Sequence, residues 1–135
     1  MQAIADTQAF RQLTTDIPLC VAALRRLAPR CQAAARLDLF RACAMLSAQP
    51  DIAAAAYAEA LLRGLAVLFG RPPVLHQPAA PELSFDERWI ASLVAAALRG
   101  DDSSLRFLLA SRLPRHAWRQ IGWLAGQFAL RQDRV

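Results

Sequence analysis

The chain has 135 residues, 56% of them hydrophobic and 20% charged, with a formal net charge of +5. A chain of that length fits one domain and can bury roughly two-thirds of the surface its unfolded form exposes. The balance excludes a disordered chain, which needs low hydrophobicity and high net charge, and it predicts leftover apolar surface for a second copy or a partner to cover.

Every basic residue is arginine, and the chain contains neither lysine nor asparagine. Together with abundant alanine, this reads as the compositional habit of a GC-rich bacterial genome, which lowers the weight of the positive charge as a sign of phosphate recognition. The three cysteines, Cys20, Cys31 and Cys43, are odd in number and widely spaced. They fit neither a disulfide framework nor the paired spacing of a zinc site, so no metal and no cofactor is expected. The opening MQAIADTQAF lacks the charged and apolar regions of a signal peptide. Charged residues interrupt the longest apolar stretches (Glu59 and Arg63 in one, Arg119 in another), so no membrane span is expected. The expectation is a soluble, cytoplasmic protein.

The apolar spacing is helical throughout. A first helix is predicted over residues 3–13. Asp16 caps a second, with Pro18 in its opening turn and Ile17, Cys20, Leu24 and Leu27 as its apolar stripe. Pro29 is expected to end or kink that helix. A third runs from about 29 to 47 with Leu37, Phe40, Cys43 and Ala44 on one side. Pro50 and Asp51 open a fourth that continues to Phe69, and Gly70 stops it.

Residues 70–84 then interrupt the pattern. Pro72, Pro73, Pro78 and Pro81 stiffen this stretch, and Val74 and Leu75 are apolar where a slack linker would be polar. The expectation is a strap that lies across the bundle and buries both. Ser84 to Glu87 (SFDE) matches a capping box and starts a fifth helix that buries Trp89, Leu93, Val94, Ala97 and Leu98 up to a stop at Gly100. Asp101 and Asp102 read as the cap of a sixth helix, about 102–112. Pro114 opens a seventh toward Arg131, with Trp118, Ile121, Ala125 and Phe128 on one face. The fold class is all-α: a compact single domain over 1–135, with about six to seven helices and a proline-rich strap between the fourth and fifth.

Little in the sequence points to catalysis. The only histidines, His76 and His116, sit in no nucleophile–base pattern, and there is no phosphate loop or dinucleotide fingerprint. The expectation is that the chain is not an enzyme. Two arginine-rich stretches stand out: Arg25, Arg26, Arg30, Arg36 and Arg41, then Arg106, Arg112, Arg115 and Arg119. In the second, residues 105–126 resemble the layout of a helix-turn-helix, which makes Arg112, Arg115, His116 and Arg119 candidate anion or nucleic-acid contacts. The turn lacks the usual glycine, however, and the following helix is apolar on more than one face. That second property supports a different reading. Trp118, Gly122, Trp123, Gly126 and Leu130 form a candidate protein interface, with aromatic anchors and a small-xxx-small spacing. The leading expectation is a helical protein–protein interaction module, an adaptor or accessory subunit, that self-associates through its C-terminal helix. The alternative is a nucleic-acid-binding regulator.

Overall fold

The computed structural model describes residues 17–33 and 49–132, the side chains of 30–33, 50, 51 and 132 excepted. The helix expected over 3–13, the Asp16 cap, and residues 34–48 of the expected third helix lie outside the described residues.

Among the described residues there are five α helices and no strand: α1 (Leu19–Ala33), α2 (Pro50–Phe69), α3 (Phe85–Arg99), α4 (Asp102–Arg112) and α5 (Trp118–Gln132), the last preceded by a 3-10 turn, Arg115–Ala117. The chain is therefore all-α over this extent. Helix α5 packs on α2, α3, α4 and α1 and is the axis of the bundle, while α3 and α4 form a hairpin closed at Gly100.

Local sequence sets most of these boundaries. The Ser84 hydroxyl accepts the Glu87 N–H (3.0 Å), and the Glu87 carboxylate accepts the Ser84 N–H (2.9 Å), completing the capping box. The Asp101 carboxylate accepts the Ser104 N–H at 3.2 Å and starts α4. Gly70 (φ 74°) and Gly100 (φ 69°) end α2 and α3 in the left-handed region, where a side chain would be strained.

Pro29 does not end its helix. Helix α1 continues through it to Ala33. Its ring lies on the exposed side and so displaces no core residue; the local cost, a missing N–H donor and the crowding of the carbonyl one turn back, is outweighed by the tertiary packing of the preceding turns. Cys20, Val21, Leu24 and Leu27 supply that packing.

The core joins these residues to Tyr57, Leu61 and Leu65 of α2, Trp89, Ile90 and Leu93 of α3, and Ile121, Leu124, Ala125 and Phe128 of α5. Leu98, expected inside, is half exposed, and Ile90 and Ala96 take the buried positions instead. Helix α2 has the length and mean hydropathy of a membrane span (1.6 over Ile52–Phe69). Of that window 39% is buried, from Ala53 to Leu65, while Ile52 and Val67 are exposed, and its Glu59 and Arg63 pair at 3.0 Å.

Candidate functional site

The most heavily organised polar site lies at the start of α3. Glu87 is at the third position of the helix and is fully buried, as is the guanidinium side chain of Arg25, 62 residues earlier in the chain. Arg25 Nε and Nη2 both donate to the Glu87 carboxylate, at 2.6 and 3.0 Å. Nη1 also donates to the Ala80 carbonyl (2.9 Å) and Nη2 to the Glu82 carbonyl (2.8 Å). Glu87 also accepts the His76 N–H at 3.2 Å. One ion pair thus ties α1, the 70–84 segment and α3 together.

Asp86 repeats the arrangement on the adjoining side. It accepts from Arg71 (2.8 Å), from Arg112 (2.9 Å) and from the Val74 N–H (2.7 Å). The Ser84 hydroxyl in turn donates to the Val74 carbonyl, and His76 Nδ1 lies 2.8 Å from the Glu82 carbonyl. Arg112 Nη1 is buried without a hydrogen-bond partner, but its guanidinium carbon sits 4.0 Å from the Phe69 ring centre and 5.1 Å from that of Trp89, so π faces replace that partner.

Burial by itself would push both carboxyls up. For Asp86 the bonds from Arg71, the Val74 N–H and Arg112 more than offset burial and hold it at about 2. For Glu87, Arg25 and the Ser84 and His76 N–H groups likewise outweigh burial and bring it below its usual range. A carboxylate held that low has little affinity for a proton at neutral pH. This chemistry suits holding chain in place.

The segment 70–84 is therefore fastened mainly through its backbone. Leu75 packs against the core as expected, whereas Val74 is half exposed and contributes its N–H and carbonyl rather than its side chain.

The residues singled out from the sequence separate into three groups. Trp118, Gly122 and Gly126 face the chain's own helices. Trp118 Nε1 donates to the Leu113 carbonyl (3.0 Å), a Cβ on Gly122 would meet Leu109 at 3.4 Å, and one on Gly126 would meet Ala97 at 4.0 Å. Trp123 and Leu130 face outward, 52% and 54% exposed, with the Trp123 ring edge-on to Tyr57 at 5.6 Å. Arg115, His116 and Arg119 are exposed around the start of α5, while Arg112 is committed to Asp86.

The first arginine-rich stretch divides as well. Arg25 is buried, Arg26 is exposed, and the side chains of Arg30, Arg36 and Arg41 are outside the described residues. Cys20 is a buried free thiol, and burial pushes it up. No group of residues able to hold a metal occurs among the described residues.

Sequence reasoning missed the Arg25–Glu87 and Asp86 centres. One signal was present: Arg25 lies four residues after Val21 and one after Leu24, on the stripe that α1 buries, where a solvated arginine has no place. No protein-family model, curated protein or solved structure matches the chain.

Proposed function

We propose that the chain is a small, soluble, cytoplasmic and non-enzymatic protein–protein interaction module, an adaptor or accessory subunit, that self-associates through the outward face of its C-terminal helix. On this reading the whole chain is one domain of six to seven helices, with 70–84 strapped between the fourth and fifth.

The observation that carries the reading is the stripe Arg119, Trp123, Leu130. Helix α5 is the axis of the bundle, yet it leaves a tryptophan and a leucine half exposed two turns apart. A rigid aromatic anchor with arginine beside it is typical of interface hot spots, and an identical copy is the simplest cover for it. Sedimentation of the native chain against Trp123→Ala/Leu130→Ala tests this. The native chain should form an assembly that the double variant reduces. Equal sedimentation of the two would refute it.

A second reading rests on the exposure of Arg115, His116 and Arg119 together around the start of α5. As nucleic-acid contacts they would give binding to duplex DNA that weakens steeply with salt, because each neutralised phosphate releases counterions. Arg115→Ala/Arg119→Ala should then flatten the salt slope by about 2. Unchanged affinity and slope would remove this reading.

A further inference from the structure

A second apolar surface lies on the side formed by the α3–α4 hairpin, away from the α5 stripe. Phe85 and Phe107 are 74% and 73% exposed, more than any other described aromatic side chain. Between the two helices runs an open cleft of about 500 Å³ lined mostly by small residues, Ser92, Ala95, Ser103 and Ser104, together with Leu108, Phe107 and the charged Arg99. The hairpin register follows from two contacts. The Arg112 guanidinium lies 5.1 Å from the Phe85 ring, and Trp89 Nε1 donates to the Leu108 carbonyl at 3.0 Å. At 1.5 Å per residue, Phe85 lies roughly 10 Å along the hairpin from the level of Ser92.

We infer that this surface pairs with the same surface of a second copy. It carries both halves of a fit, two projecting rings and a small-residue cleft, so one surface can be both knob and hole in a two-fold arrangement. Antiparallel pairing of two hairpins lays Phe107 of each copy against the small residues Ser92, Ala95 and Ser104 of the other's cleft.

The charges agree with that orientation. The Phe85 end carries exposed Arg88, since its Arg71 and Arg112 are bound to Asp86. The turn end carries Asp101, paired with Arg99 at 3.5 Å, and the exposed Asp102. Antiparallel pairing therefore brings an Arg88 end to an Asp102 end twice. The area is of the right order: a phenylalanine buries ~150–250 Å², so four rings at three-quarters exposure bring about a third to a half of the ~1,200–2,000 Å² of a stable interface.

This surface is separate from the α5 stripe. Two self-complementary faces on one chain build a closed tetramer or an extended array rather than a dimer.

Sedimentation of the native chain and four variants of it tests the inference, with helicity checked by circular dichroism. The native chain should be larger than a dimer. Phe85→Ser/Phe107→Ser should leave a dimer held by α5, Trp123→Ala/Leu130→Ala a dimer held by the hairpins, and the combined variant a monomer. Ser92→Arg, which fills the cleft and removes no apolar contact within the chain, should act like the phenylalanine pair. A dimer lost in the phenylalanine variant alone keeps this inference and removes the α5 reading. If neither the phenylalanine pair nor Ser92→Arg changes the size of the assembly, the inference is overturned, and a native chain that is monomeric overturns both.

Discussion

Replacing one partner of the Arg25–Glu87 pair exposes what the buried centre does. Both side chains are fully removed from solvent. Arg25→Met deletes four hydrogen bonds, two to Glu87 and one each to the Ala80 and Glu82 carbonyls, and leaves a buried carboxylate with the Ser84 and His76 N–H groups and the His76 ring 3.7 Å away. Glu87→Gln leaves the opposite fault, a buried guanidinium facing a neutral amide. Each change should cost about 3–5 kcal/mol, because an unpaired buried charge is far worse than none.

The double variant removes both charges and keeps the glutamine acceptor for the Ser84 N–H. It should cost no more than either single change, which gives a coupling of about 3 kcal/mol or more. Urea unfolding followed by circular dichroism measures the cycle. Hydrogen exchange at the His76 amide should quicken in Arg25→Met as the 70–84 segment loosens. Single changes below about 1 kcal/mol, or an additive double variant, would refute the claim that this pair fastens the segment.

Acid should weaken the adjoining Asp86 centre in a defined window. The folded Asp86 is held at about 2, so its share of stability, about 2 kcal/mol, is complete above the ordinary carboxylate range near 4 and lost as pH falls toward 2; Asp86→Asn should flatten that limb of an acid titration. Gly126→Ala, whose Cβ meets Ala97 at an ordinary 4.0 Å, should raise stability by about 0.5–1 kcal/mol in thermal unfolding and leave self-association unchanged. Gly64→Ala should give no such gain, because its Cβ would press on Ile121 at 3.2 Å in the core. Phe128→Ala, at the fully buried axis, should cost about 3–5 kcal/mol in urea, whereas Trp123→Ala, at a half-exposed ring beside Tyr57, should cost the isolated chain only about 1–2.

Local chemistry made much of the fold legible. The Ser84–Glu87 box, the Asp101 cap and the two glycine stops act within one helical turn, and they place α2, α3 and α4 to the residue or nearly so. Pro29 as a helix end misled because its penalty is local and fixed while the packing that carries the helix past it is tertiary. Leu98 misled because the helical stripe is wider than the face α3 actually buries.

The polar centre was the least legible part. Its partners, Arg25 and Glu87, are 62 residues apart, and an arginine-rich composition makes a buried arginine look like one more solvated one. The α5 residues form one group in the sequence, but which of them turn inward depends on α3 and α4: Gly122 and Gly126 face Leu109 and Ala97 there, and of the five only Trp123 and Leu130 remain outside.

The central claim is that the outward face of α5 is covered by protein in solution. The most direct measurement uses the chain labelled with 5-fluorotryptophan, its Trp123 resonance assigned by Trp123→Phe, followed in H₂O and D₂O on dilution from about 200 to 2 μM. The account predicts a Trp123 solvent-isotope shift that is small when concentrated and grows on dilution, while those of Trp89 and Trp118 stay constant. A Trp123 resonance with a full solvent-isotope shift at every concentration would contradict it.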